Sequence, residues 1–257
     1  MKQAPAAPVV SIRGLSRRFG ALQALTGIDL DVGAGEVLAL CGDNGAGKST
    51  LIRILPGAEL PSAGEIRLNG EPVVFRSPQE ALARGVAAIY QDLALAPRLS
   101  IRENVFMGAE LTRPVLLPFI RLLDRRAMAR EARELLARLE VRIDDVERPV
   151  ESLSGGQRQA VAIARALRSR ASLIIMDEPT AALGVRESAQ VLELIVRLRD
   201  AGHSVILISH NMRDVAQVAS RVVILKGGRK IEDRPVAGLT ADDLRRLIFE
   251  ASWADAA

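Results

Sequence analysis

The chain has 257 residues, 49% of them hydrophobic and 26% charged, a length and balance that suit a buried core and exclude a disordered polymer. Its net charge of +4 describes a mildly basic surface, and an aromatic content of 3% argues against a base-stacking nucleic-acid groove. Cys41 is the single cysteine, so no disulfide can form within the chain.

Residues Met1 to Pro8 have no charged-then-apolar leader pattern, and no apolar run approaches the ~20 residues that span a bilayer. The stretch Pro114 to Ile120 is broken by Pro118. The chain is expected to be soluble and cytoplasmic, reaching a membrane only by docking on a partner. From Val9 to Phe75 the texture is β. Ile28, Leu30 and Val32 alternate with polar residues, Gly33-Ala34-Gly35 turns, and Val37 to Cys41 is an apolar strand with Cys41 as a small core residue. Asn69-Gly70 predicts a tight hairpin between Ile66-Leu68 and Val73-Phe75. A short helix follows, with Ser77 as cap, Pro78 in the first position, Glu80 completing a capping box and Gly85 ending it.

The middle reads as helical, with Asp124 capping a helix to Glu140 whose buried face is Met128, Ala132, Leu135, Leu136 and Leu139. Beyond Gly155, helices alternate with apolar strands: Val161–Arg168 before Leu173–Met176, then Val191–Leu198 before Val205–Ile208. That alternation predicts a parallel sheet covered by helices. Gly227-Gly228 suits a late hairpin, and Thr240 can cap a last helix through Phe249.

The sharpest motif is Gly42-Asp43-Asn44-Gly45-Ala46-Gly47-Lys48-Ser49-Thr50, which follows an apolar strand and opens a helix. It matches the P-loop pattern in the context that pattern requires. Glycines let backbone N–H groups converge on phosphate oxygens, Lys48 adds a point charge at the β- and γ-phosphates, and the Ser49 hydroxyl can bind Mg2+. A P-loop needs an acidic partner, and Leu173 to Met176 delivers Asp177 and Glu178 at a strand end. Asp177 suits the metal; Glu178 can polarise an attacking water. Apart from the P-loop, an acidic strand end would be commonplace. Ser154-Gly155-Gly156-Gln157 is a second helix start. A capping box accounts for Ser154 and Gln157 but not for two adjacent glycines, which weaken a helix. Exposed N–H groups, a hydroxyl and a helix dipole make it a second phosphate-binding end, which suggests a nucleotide shared between two copies.

Leu153 to Gln157, placed between the P-loop and the acidic strand, resembles the signature of the ATP-binding cassette family, and the resemblance covers essentially the whole chain. It implies a P-loop NTPase fold: a RecA-like parallel-sheet core with an N-terminal antiparallel β subdomain, about 9–90 and 170–257, and an inserted helical subdomain, about 91–169. It implies ATP and Mg2+ as ligands, with each ATP between the P-loop of one copy and Ser154 to Gln157 of a second. By similarity, Phe19 stacks on adenine, Gln91 touches the metal and the water, and His210 contacts the γ-phosphate. His203 reads as a surface turn residue. The implied partners are a second copy, a membrane permease that Leu99 to Met107 would face and, indirectly, a periplasmic substrate-binding protein; no nucleic acid is expected. Gly184 departs from the family, which usually has Asp there, and this puts cross-talk between the two sites in question.

A narrower resemblance, to bacterial monosaccharide importers of the ribose and fructose type, rests on Gly42-Asp43-Asn44, Gln91 to Leu95, Pro179 to Ser188 and Ser209 to Met212. Two rival classes fit these residues less well. Nucleic-acid- or ribosome-associated cassettes usually carry long coiled-coil insertions or tandem cassettes, neither of which appears here, and Ser154 to Gln157 argues against a small-molecule kinase.

Overall fold

The computed structural model describes residues 7–114 and 121–253, with side chains described as far as Glu250. In chain order, strands β1 (Val10–Phe19), β2 (Leu22–Val32) and β3 (Val37–Cys41) lead into helix α1 (Lys48–Ile54). Then come β4 (Ala63–Leu68), β5 (Glu71–Val73), α2 (Pro78–Ala83), β6 (Val86–Ile89) and α3 (Ile101–Phe106). Strands β7 (Thr112–Pro114) and β8 (Arg121–Leu123) precede α4 (Arg125–Arg138) and α5 (Gly155–Arg168). The chain continues through β9 (Leu173–Asp177), α6 (Val185–Asp200), β10 (Ser204–Ile208), α7 (Met212–Val218), β11 (Arg221–Lys226), β12 (Arg229–Pro235) and α8 (Ala241–Trp253). Contacts divide it into two units, one of Met1–Tyr90, Ala171–Pro179 and Ile195–Ala257, the other of Gln91–Arg170 and Thr180–Leu194.

The first unit holds both large sheets. The six-stranded one runs β12-β11-β3-β10-β9-β6, parallel throughout except for β12, which returns antiparallel after the Gly227-Gly228 turn. Its central strands are covered on both faces, so their residues divide between two cores. Leu38 and Leu40 of β3, with Val223 and Leu225 of β11, pack with Leu51, Ile52 and Ile54 of α1 and with Leu25 and Ile28 of β2. Ala39, Cys41, Val222 and Ile224 face the other way, against Met212, Val215 and Leu244 of α7 and α8. A period of two with both phases apolar is what a strand buried on both faces requires. The antiparallel sheet runs β2-β1-β4-β5, and Asn69 (φ 52°) and Gly70 (φ 85°) take the left-handed pair that closes a two-residue hairpin.

The second unit is helical, with α3, α4 and α5 packed on one another. Asp124 caps α4 by accepting the Ala127 N–H at 3.0 Å, and Met128, Ala132, Leu135, Leu136 and Leu139 are all buried. Asn104 is fully buried and its amide donates to the carbonyls of Ala96, Leu99 and Ser100, which fixes the approach to α3.

Several expectations need correction. The middle is not wholly helical, because the short hairpin β7–β8 precedes α4; strands of three residues are too short to show a period. Residues 115–120 of the Pro114 to Ile120 stretch lie outside the described residues. Helix α6 begins at Val185, well before Val191, since its first turns are polar and carry no apolar signal. The α2 box is half made: Ser77 accepts the Glu80 N–H at 3.2 Å, but the Glu80 carboxylate takes the N–H of Arg76. Five of the six residues of α3 are buried, so within Leu99 to Met107 the exposed large hydrophobics are Leu99 and Met107 at the ends. No helix among the described residues is long and apolar enough to cross a membrane.

Candidate active site

Parallel strands deliver their C-terminal ends to one edge of the sheet, where open α/β sheets bind ligands. Strand β3 ends in the P-loop, β9 in Asp177 and Glu178, and β10 between them leads to His210. Ile208 pairs with both Leu40 and Asp177, which sets the register of all three ends.

The P-loop conformation depends on glycine at two points. Gly42 has φ 141°, and a Cβ there would lie 2.2 Å from the Leu225 carbonyl oxygen. Gly47, the N-cap of α1, has φ 104°, and a Cβ would lie 2.7 Å from Cδ2 of Leu25. Ala46 N–H closes the loop on Asp43 O at 3.2 Å, and no side chain caps α1. Asn44, Gly45, Ser49 and Thr50 belong to this loop and the first turn of α1. The Lys48 ammonium donates to the carbonyls of Gly42 and Asp43 at 2.6 and 2.9 Å, so its charge is held against the loop.

Burial, helped by the neighbouring Glu178, raises the pKa of Asp177 above the usual carboxylate value, while Lys48 and Arg53 oppose the rise. A carboxylate that burial makes reluctant to ionise gains from a cation. Among the described residues no group of three or more His, Cys, Asp or Glu could hold a metal. A hydroxyl and one carboxylate, completed by phosphate oxygens and water, fits Mg2+, which rarely takes an all-protein cage. Glu178 sits at φ 51°, an uncommon conformation for a residue with a side chain, and its N–H bonds to Ile208 O at 2.9 Å. Its Oε2 lies 2.6 Å from Nδ1 of His210. The His210 loop is braced by Asn211, whose N–H donates to Ser209 Oγ and whose amide donates to Asp214.

Phe19 ends β1 with 41% of its surface exposed and Arg17 stacked 4.4 Å from its ring centroid, which removes the simple reading of a core aromatic. Gln91 is exposed, directly after Tyr90. Cys41 is fully buried, and burial pushes its thiol up to about 12, so it is a core residue. His203 is only partly exposed, and its Nδ1 lies 2.7 Å from Ala171 O, so it is a bonded turn residue more than a free surface one.

At the start of α5 the capping box is complete: Ser154 Oγ accepts the Gln157 N–H at 3.3 Å, and Gln157 Oε1 accepts the Ser154 N–H at 3.1 Å. The paired glycines also lie against side chains of α6 and the turn before it, a contact that spacing along the sequence does not reveal. A Cβ on Gly155 would lie 2.3 Å from Cδ2 of Leu183, and one on Gly156 3.1 Å from Oε1 of Gln190. The Gly155 N–H, expected to be exposed, donates to the Glu187 carboxylate at 2.9 Å.

A parallel sheet with a P-loop, an acidic pair and a histidine at the ends of three adjacent strands defines a P-loop nucleoside triphosphatase. More narrowly, the chain belongs to the ABC transporter family, which matches residues 25–181, and it is an ATPase of that family. It is 50% identical over 226 residues to the "Fructose import ATP-binding protein FrcA" of Rhizobium meliloti, covering 87% of each chain. It is 44% identical over 245 residues to the "Ribose import ATP-binding protein RbsA 1" of Rubrobacter xylanophilus, covering 95% of this chain and 48% of that one; it thus spans about half the length of that relative. A crystal structure of the ADP conformation of an ATP-binding cassette of an ABC transporter has the same fold, with TM-score 0.79, 21% identity and coverage of 97% of this chain and 100% of that one.

Proposed function

We propose that this chain energises import of a monosaccharide by hydrolysing ATP as a pair of identical copies bound to a membrane permease at the cytoplasmic face. The observation that carries the hydrolytic part is the meeting of the P-loop, Asp177-Glu178 and His210 at one sheet edge. The sugar is supported by the fructose and ribose import proteins to which the chain is 50% and 44% identical.

In this reading the P-loop residues Gly42, Asn44, Gly45, Gly47, Lys48, Ser49 and Thr50 bind the phosphates, and Phe19 takes the adenine. Ser49, Gln91 and Asp177 hold Mg2+, which when bound neutralises charge on the β- and γ-phosphates. Glu178 orients and polarises the attacking water, and His210 contacts the γ-phosphate. The helical subdomain, about 91–169, presents Ser154 to Gln157 to the nucleotide of the partner copy. The two copies bind each other better with ATP than with its products, and that differential affinity shifts the permease between two states. A periplasmic substrate-binding protein delivers the sugar to the permease and meets this subunit only indirectly.

The test is uptake. Disrupt the gene and measure labelled pentoses and hexoses alongside amino acids, metals and lipids. Loss of one sugar's uptake, restored by the wild type but not by Glu178→Gln, supports the reading. Intact sugar uptake with a defect in another solute removes the sugar and leaves the ATPase.

A further inference from the structure

One carboxylate ties the first turn of α5 to the first turn of α6. Oε1 of Glu187 accepts the Gly155 N–H at 2.9 Å, and Oε2 accepts the Gly184 N–H at 3.3 Å. Both helix starts leave backbone donors without an intrahelical acceptor, and a carboxylate is the strongest acceptor a side chain can offer them. Cδ2 of Leu183 and Oε1 of Gln190 lie over Gly155 and Gly156, within 2.3 and 3.1 Å of where a Cβ on each would stand. Leu183, Glu187 and Gln190 therefore form the seat on which the signature rests. Ser154 already accepts the Gln157 N–H, so its own hydroxyl proton is left to donate outward. Gly184 has no side-chain carboxylate to offer, and that of Glu187, three residues on, is turned to the signature of its own copy.

We propose that Glu187 is a positioning residue for ATP hydrolysis. It holds Ser154 and the first turn of α5 in the orientation that meets the nucleotide of the partner copy. The inference rests on the reading that Ser154 to Gln157 complete the partner's site. A seat that merely stabilised the fold would matter equally to every activity. A seat that positions the signature matters to pairing and not to the P-loop.

The experiment uses the full chain with Glu187→Ala, Glu187→Gln and Ser154→Arg, each also made in a Glu178→Gln background. Fluorescent ADP titrated into dilute protein reads the P-loop alone; light scattering with ATP and Mg2+ reads pairing; steady-state kinetics give KM and kcat. Glu187→Ala should leave ADP affinity within about twofold and raise the ATP needed for pairing, and KM, by about tenfold, the scale of a lost charge-assisted hydrogen bond. Glu187→Gln keeps one acceptor oxygen and should fall between. Unchanged pairing in Glu187→Ala, with pairing lost in Ser154→Arg, overturns the proposal and spares the shared-site reading. Pairing intact in Ser154→Arg overturns both. Should Glu187→Ala fail to fold, Glu187→Gln decides: a lowered Tm with wild-type pairing counts against the proposal.

Discussion

Nδ1 of His210 lies 2.6 Å from Oε2 of Glu178, with the histidine side chain 80% exposed and the glutamate 20%. An ionised carboxylate only accepts, so the imidazole proton at Nδ1 is the one shared, and the Glu178 carboxylate is oriented by it. In the proposed reading Glu178 is the base, and a base aimed in this way would serve the hydrolytic step and not nucleotide binding. Glu178→Gln is therefore expected to bind ATP normally and to hydrolyse it about 10²- to 10⁴-fold more slowly. Pairs of copies should accumulate in that variant with ATP and Mg2+, visible by size-exclusion chromatography with light scattering; single copies alone would count against the shared-site reading.

Lys48 is held by two P-loop carbonyls at 2.6 and 2.9 Å, which places its charge at the phosphate-binding turn. Lys48→Ala should weaken ATP binding by roughly ten- to a hundredfold, the cost of a charged hydrogen-bonding group, with the fold intact by circular dichroism. Gly42→Ala should differ, losing stability as well, because its Cβ would enter the space of the Leu225 carbonyl. Calorimetric titration separates the two, and wild-type affinity in Lys48→Ala would remove the P-loop assignment.

If the signature acts in trans, defects in different motifs should complement. A Ser154→Arg copy mixed with a Lys48→Ala copy leaves one composite site with both defects and one with neither. Activity of the isolated heterodimer should recover to about half of wild type, as counting sites requires. Heterodimers without activity would place Ser154 in cis or outside catalysis.

The perturbed Asp177 makes a stability prediction. Its pKa is raised in the folded chain above the ordinary 3.8, mainly by burial. The unfolded carboxyl then ionises first, so stability is lost as pH rises through these values and the cost is complete at neutral pH. Asp177→Asn, measured without nucleotide or metal at pH 7, should raise Tm, at about 2–4 °C per kcal/mol for a chain of this size. The gain should shrink as pH falls through the raised pKa and vanish below about 3.8, where both states are protonated, while hydrolysis is lost throughout. A lower Tm at pH 7 would mean that the carboxylate's hydrogen bonds outweigh its burial.

Cys41 has no exposed surface, its thiol is pushed up to about 12, and it lies 3.8 Å from Ser209 O. At pH 8 it should react with a thiol reagent only through unfolding, at a rate set by denaturant, with one equivalent titrated in full denaturant. Rapid labelling of the folded chain would mean that the sheet opens at β3.

What could be read from the sequence was local. The strand before the P-loop, the turn at Asn69-Gly70, the caps at Ser154 and Asp124 and the apolar run ending at Asp177 each depend on residues within about one turn of one another, where spacing alone fixes which groups can meet. The β7–β8 hairpin and the start of α6 escaped because three-residue strands and polar first turns carry no period. The tertiary structure alone decided the contacts between distant segments. Strand order brings His210 to Glu178. Leu183, Glu187 and Gln190 lie beside Gly155 and Gly156, and the Glu187 carboxylate takes the Gly155 N–H. Such pairings join residues about thirty positions apart, and one-dimensional spacing holds no information about them until the sheet and helices have packed.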